Sequence, residues 1–243
     1  MKKIRSRQLL KTVCLVILGG LLVMGLAGCD VRKNSRAYLE GKAAELDRVF
    51  PTENLEDLFE EFPGGFTFST IYWMDDKDGW SYAQKIKIKG DGKTRKVTGL
   101  VKNIRTKAEP VYRKEVLKKS EITYQDGQLI FENPDFTLGE LETNGYLMQK
   151  LEISKNSLSK LKLLSKSYNL ETGDGSLSYE LNNTKVSNFL KVSRENPIVM
   201  YIDIDYETIH DGAYKYGISL KQEDDIKYVM GITGNENLKG SKK

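Results

Sequence analysis

One cysteine near the start of the chain stands where its thiol could carry a covalent lipid. Cys29 follows Leu26, Ala27 and Gly28 at the end of an apolar run. This is the pattern of a lipobox, in which a small residue at Gly28 lets a signal peptidase approach and the sulfur of Cys29 accepts diacylglycerol. The sequence therefore predicts lipid attachment at Cys29.

The residues before Cys29 have the three parts of a secretory signal. Basic side chains between positions 2 and 11 precede an apolar core over 12–24, and small residues follow. This core is too short and too often interrupted by glycine for a membrane span, which needs about 20 apolar residues. We predict a cleaved lipoprotein signal peptide over 1–28 and an address at the extracytoplasmic face of the cell membrane. An uncleaved anchor helix and a plain signal peptide cut elsewhere are the alternatives.

Cleavage before Cys29 changes the charge and the cysteine content of the chain. The whole chain has 38 basic and 34 acidic residues, and five basic but no acidic residues precede Cys29. The remainder is close to neutral, so we expect no nucleic-acid partner, because phosphate binding needs a basic field. Cys14 leaves with the signal, and the remaining chain has no cysteine pair for an intramolecular disulfide.

Carboxylates cluster near position 204 with the only histidine of the chain. Asp203 and Asp205 share one face of a predicted strand over 198–206, and Glu207, His210 and Asp211 follow. Oxygen ligands at this spacing suit a hard cation or an acid/base pair. The favoured alternative is the polar face of a half-exposed antiparallel strand. Whether Asp203, Asp205 and His210 form a site stays open at the level of sequence.

The catalytic motifs searched for do not occur in the chain. It has no Gly-x-Ser-x-Gly elbow, no His-Glu-x-x-His pair and no dinucleotide-binding glycine pattern. The segment from Gly90 to Thr94 is similar to the end of a phosphate-binding loop, but Lys87 stands where that motif needs its first glycine. We interpret the segment as a hairpin turn. The sequence predicts no enzyme, no cofactor and no metal site.

Helical spacing of apolar residues dominates the first part after the signal. Positions 29–34 read as a lipidated tether, and a helix is predicted over 35–50. A second helix, with Thr52 as its N-cap, follows and ends at Pro63. Further along, Asn156 or Ser157 is predicted to cap a helix that carries Leu158, Leu161 and Leu164 inward.

Period-two alternation dominates the rest. It predicts strands between positions 66 and 131 and again between 198 and 232, with Lys85, Lys87 and Lys89 on the face opposite the apolar residues. The fold class is therefore α+β, with antiparallel sheet built from meanders, N-terminal helices and one or two helices in the C-terminal half. We favour one domain over 35–233 and a polar tail over 234–243. Whether there is one sheet or two stays open.

Several stretches together resemble the tandem-type lipoproteins of staphylococci and related Gram-positive bacteria. They are Gly28-Cys29-Asp30, the segment Val49-Phe50-Pro51-Thr52-Glu53-Asn54-Leu55-Glu56-Asp57-Leu58, the approach Asp76-Lys77-Asp78-Gly79-Trp80, and the lysine-rich strand from Lys93 to Gly99. The resemblance is dense over 49–101 and departs over 103–151. It implies a surface-displayed α+β lipoprotein, some members of the family being linked to host-cell entry and to immune stimulation through the lipid. Only Cys29 carries over as a functional position.

These observations predict a lipid-anchored surface protein whose folded part is a binding or interaction module for a host or envelope partner. A lipoprotein that captures a small ligand or cation is the first alternative, and a deep apolar pocket would favour it. An envelope hydrolase is the second, and a cleft with paired carboxylates of shifted pKa would favour it. A flat, charged surface would support the interaction module.

Overall fold

A computed structural model describes residues 32–74, 79–136, 146–223 and 225–235. Cys29 and the predicted signal peptide lie outside the described residues, as do half of the predicted tether and most of the predicted tail. Among the described helices, none is both long and apolar enough to span a membrane.

The described strands form one antiparallel sheet in the order β5-β4-β3-β2-β1-β10-β9-β8-β7-β6. The first five strands meander outward from the centre; the chain then passes to the opposite edge, and the last five meander back until β10 pairs with β1. The two predicted meanders are thus halves of one sheet. The strands are β1 Gly65–Trp73, β2 Ser81–Asp91, β3 Val97–Lys107, β4 Arg113–Gln125, β5 Gln128–Phe131, β6 Lys162–Tyr168, β7 Gly175–Leu181, β8 Ile198–Ile204, β9 Tyr214–Gln222 and β10 Asp225–Gly234.

The described helices are short. The α-helices are α1 Arg36–Ala43, α2 Leu58–Glu61, α3 Lys155–Lys160, α4 Thr184–Leu190 and α5 Tyr206–His210, and 3-10 helices cover Ala44–Arg48, Leu55–Asp57 and Leu147–Gln149. Antiparallel sheet with a few short helices agrees with the predicted α+β class. The first predicted helix begins where expected, because the Ser35 hydroxyl accepts a hydrogen bond from the amide of Tyr38 at 3.2 Å, but from Ala44 onward it continues as a 3-10 helix.

Two predicted helix boundaries are wrong. Thr52 does not cap a helix; its hydroxyl donates to the carbonyl of Val49 at 2.7 Å, and the next 3-10 helix begins only at Leu55. The helix predicted at Asn156 or Ser157 is capped instead by Ser154, whose hydroxyl accepts from the amide of Ser157. That helix ends at Lys160, and the chain becomes strand β6.

The helices and one face of the sheet share a continuous apolar core. The inward side chains of the central strands are almost fully buried, and α1 and α4 contribute apolar residues to the same cluster. We call this side of the sheet the covered face. Burying each of these large side chains stabilises the fold by about 1.5–3 kcal/mol. The core-forming strand residues include Phe66, Phe68, Ile86, Ile88, Val101, Ile122, Tyr179, Met200, Ile202, Ile218, Leu220 and Met230.

The segment from Gly90 to Thr94 is a hairpin turn, as predicted. A carboxylate oxygen of Asp91 accepts hydrogen bonds from the amides of Lys93 and Thr94, both at 2.9 Å. Gly90 is needed for close packing, since a Cβ atom there would overlap the ring of Phe66. The turn therefore serves the covered face, and strand β3 follows it rather than the helix that a phosphate-binding loop requires.

Candidate functional site

The alternate residues of the same strands form the opposite side of the sheet, which we call the open face. On it, a row of small side chains crosses the centre of the sheet. Ser69 of β1 pairs with Gly231 of β10, which pairs with Gly217 of β9, which in turn pairs with Asp203 of β8. Lys87 of β2 stands opposite Ser69 on the other side. With strands about 4.8 Å apart, the row runs roughly 19 Å from Lys87 to Asp203.

The missing side chains leave a groove of about 850 Å³ along this row. A Cβ atom at Gly217 would lie 3.4 Å from the Cβ of Asp203, and one at Gly231 would lie 3.6 Å from the hydroxyl of Ser69. These are close to ordinary contact distances, so neighbouring atoms do not exclude a side chain as they do at Gly90. Packing alone therefore does not explain the two glycines.

Asp203 lies inside this groove, which continues past it over Ser176 of β7 and Ser167 of β6. Among the described residues its carboxylate forms neither a hydrogen bond nor an ion pair. Partial burial in the groove raises the pKa of Asp203, and the nearby Asp174 carboxylate raises it further. Asp174 is itself held in place, because one of its oxygens accepts the amide hydrogen of Tyr206 at 2.8 Å. The carboxylate oxygens of Asp203 can therefore still accept a hydrogen bond or an ion pair from a bound partner.

Asp205 lines the same groove but is already engaged. Strand β8 ends at Ile204, and Asp205 caps helix α5 by accepting the amide hydrogen of Glu207 at 3.0 Å. Its other oxygen lies 3.0 Å from the ammonium nitrogen of Lys215. The hydrogen bond to Asp205 raises the pKa of Lys215. The predicted strand over 198–206 is therefore too long, and Asp203 and Asp205 do not act as an equivalent pair.

His210 lies outside the groove. It is the last residue of α5, where its Nε2 is 3.2 Å from the hydroxyl of Tyr168 and its ring stacks on Tyr206 with 4.3 Å between centroids. Among the residues that the structure describes, no three histidine, cysteine, aspartate or glutamate side chains are grouped so that they could hold a metal ion. The geometry brings Asp203 and Asp205 to one groove and separates His210 from it.

The glycines of the groove are the functional candidates that sequence reasoning missed. Gly217 and Gly231 both occur inside strongly alternating strands, between apolar residues of the covered face. Glycine in a strand interior weakens it and often marks a close approach of a ligand or another backbone. That signal is present in the sequence, but only the register shows that the two glycines are neighbours.

No protein-family model matches the chain, and no curated protein matches it.

Proposed function

We propose that this chain is a bacterial surface lipoprotein, anchored through Cys29 at the extracytoplasmic face of the cell membrane, that binds a partner through the open face of its sheet. The observation that supports a binding role is the groove between Lys87 and Asp203. The lipid anchor rests on the lipobox at 26–29. In this proposal the anchor sets the location and the sheet sets the specificity.

An exposed polar face alone would not support binding, because antiparallel sheets commonly leave one face in water. The glycines do. A glycine in a strand interior costs about 0.5–1 kcal/mol relative to alanine, and Gly217 and Gly231 stand directly opposite each other with room for side chains. The pair thus lowers the stability of the fold by about 1–2 kcal/mol. No contact within the described fold requires glycine at either position. We infer that the two glycines are present because they leave space for a partner.

The shape of the groove favours an extended polar partner. It is open, and most of the residues that line it are polar or glycine, with Ile204, Tyr216 and Ile232 among them, whereas small-molecule pockets are lined mainly by hydrophobic and aromatic side chains. Capture of a small polar ligand is the second candidate, supported by the carboxylate of Asp203, which has no hydrogen-bond or ion-pair partner in the described part of the chain. A hydrolase has less support, because Asp205 is occupied by Lys215 and a helix cap.

The resemblance of 49–101 to tandem-type lipoproteins supports a host or envelope partner. Host-cell interaction through the folded part and immune stimulation through the lipid belong to the same proposal. The two activities are separable, because Cys29→Ser removes the thiol that accepts the lipid and leaves the sheet intact. We expect this variant to lose incorporation of labelled fatty acid and to leave the membrane fraction. Persistent labelling of the variant would overturn the anchor.

The binding role is tested with the lipidated protein on intact cells. A photoreactive amino acid is placed at Ser69, in the exposed floor of the groove, and in a second variant at Lys155, which is exposed on helix α3. We expect discrete crosslinked products from position 69 and none from position 155. Filling the groove by Gly231→Val in the first variant should remove the products. Equal crosslinking at both positions, or products that survive the filled groove, would contradict the proposal.

A further inference from the structure

The other half of the open face carries lysines in direct register. Lys85 of β2 pairs with Lys102 of β3, which pairs with Lys119 of β4. Three ammonium groups therefore stand on three adjacent strands, in a line roughly 10 Å long at the level of the backbone. Lys87 and Lys89 follow on the same face of β2. We call these five residues the lysine rows.

The five ammonium groups of the lysine rows outnumber the carboxylates beside them. Among the described residues, none of the five forms an ion pair with a carboxylate. Partial burial lowers the pKa of Lys85, and the positive charge of Lys114, which lies outside the rows, lowers it further. Acidic side chains lie beside the rows: Asp91 follows Lys89 on the same face of β2, and Glu121 and Glu132 line the same depressions as Lys102 and Lys119.

Folding does not favour this arrangement. Like charges directly opposite each other on neighbouring strands destabilise a sheet. The chain has 34 acidic residues, and elsewhere it pairs them across strands, as with Arg105 and Glu115 at 2.6 Å and Lys162 and Glu180 at 2.8 Å. A bound anion that spans the three strands would attract each ammonium group and so offset their mutual repulsion.

We propose that the lysine rows bind a linear polyanion whose phosphate groups repeat along a flexible chain. This deepens the proposed function, on which it rests, by naming a partner class for the open face. A polymer that crosses β2, β3 and β4 would contact one ammonium group on each strand. At β2 it would also lie next to Lys87 and Lys89, which follow Lys85 along that strand. Lysine offers a mobile point charge rather than the fixed fork of arginine, which suits a repeating polymer better than one rigid ligand.

The geometry favours a flexible chain over a bilayer surface. Adjacent strands in a sheet are rotated by about 20–25°, so the ammonium groups of Lys85, Lys102 and Lys119 follow a twist. A chain can follow that twist, whereas a plane cannot touch every position equally.

The test uses the full lipidated protein reconstituted in neutral phosphatidylcholine vesicles, with inorganic polyphosphate as the probe and orthophosphate as its monomeric control. We expect polyphosphate to bind, with an affinity that falls as salt rises, and orthophosphate at equal phosphorus concentration to bind far more weakly. Changing Lys85, Lys102 and Lys119 together to Gln should weaken polyphosphate binding at least about tenfold. It should also reduce the slope of log K against log salt by about 2 to 3.

A matched variant controls for net charge. Lys155, Lys160 and Lys185 are exposed on helices α3 and α4, and changing them together to Gln removes the same charge. We expect this variant to bind polyphosphate within about twofold of the wild type, since its lysines make no contact with the polymer. Equal losses in the two triple variants would overturn the proposal, and so would the absence of polyphosphate binding by the wild type.

An amine-reactive footprint identifies the occupant. Polyphosphate should protect Lys85, Lys102 and Lys119 from labelling, read by mass spectrometry, and phosphatidylglycerol vesicles without polymer should not. Protection by phosphatidylglycerol alone would assign the surface to a membrane and overturn the polymer. If polyphosphate fails while crosslinking from Ser69 persists, only this inference fails. If both fail, the proposed function fails with it.

Discussion

The two faces of the ten-stranded sheet are built from alternate residues of the same strands, yet different requirements govern them. Phe68 is fully buried on the covered face, where its ring packs edge-on against Tyr146 with 5.5 Å between centroids. Ser69, the next residue, is exposed on the open face. Burial in the core restricts which residue types the covered face can carry, whereas the open face needs only residue types that water can solvate.

The open face nevertheless has an order that solubility does not require. Its β2–β4 half carries the lysine rows, and its β7–β9 half carries Asp174, Asp203 and Asp205 together with Lys215, paired to Asp205, and Lys221, over the ring of Tyr201. An interspersed arrangement of the same charges would keep the protein equally soluble and reduce repulsion. From this separation of charge we infer that the open face is organised for contact with a partner.

Phe68→Ala against Ser69→Ala gives the largest expected difference between the faces. Removing the buried ring should lower the free energy of unfolding by about 3–5 kcal/mol, because it leaves a cavity in the core. Ser69→Ala, one residue away, should change it by less than about 0.5 kcal/mol. Equilibrium unfolding in urea measures both. Similar losses in the two variants would show that Ser69 is packed in the folded protein and would contradict the difference between the two faces.

Alternation in the sequence was enough to predict most strands, because it records which face is buried. It failed at β6, which lies at the edge of the sheet and leaves Leu164 45% exposed. There the spacing of Leu158, Leu161 and Leu164 suggested a helix. The pairing of β10 with β1 could not be predicted either, since alternation specifies a face but not the neighbouring strand.

The same limit explains what was missed at the candidate site. Asp203 was a candidate from its face and its neighbours in sequence, and the structure places it in the groove. Gly217 and Gly231 became candidates only through their pairing, and so did the alignment of Lys85 with Lys102 and Lys119. Binding surfaces on a sheet are rows across strands, whereas the sequence is read along them.

We expect a difference in stability of intermediate size between Gly90→Ala, on the covered face, and Gly231→Ala, on the open face. A Cβ atom at Gly90 would approach the Cζ of Phe66 to 2.6 Å, so we expect Gly90→Ala to destabilise by about 1–3 kcal/mol through overpacking. At Gly231 the nearest atom would be 3.6 Å away. Alanine there restricts the unfolded chain and should be neutral or stabilise by up to about 1 kcal/mol. Thermal unfolding of the two variants decides this, and a large loss for Gly231→Ala would contradict an empty groove.

Asp203→Asn has the smallest expected effect and depends on pH. Because partial burial, and then Asp174, raise the pKa of Asp203 in the folded state, the folded protein binds a proton more tightly there than the unfolded chain does. Stability contributed by this group is therefore present at low pH and is lost as the pH rises from the ordinary carboxyl pKa through the raised one. Asparagine cannot ionise, so the variant should match the wild type at low pH and exceed it slightly at neutral pH.

The control for this prediction is Asp205→Asn, because Asp205 differs from Asp203 in having partners. Its carboxylate forms an ion pair with Lys215 and caps helix α5 through the amide of Glu207. We expect Asp205→Asn to lower stability at neutral pH, opposite in sign to Asp203→Asn. Unfolding measured at several pH values separates the two. If both variants lose stability, Asp203 has a partner in the folded chain, and the groove would lose the free carboxylate on which its binding role partly rests.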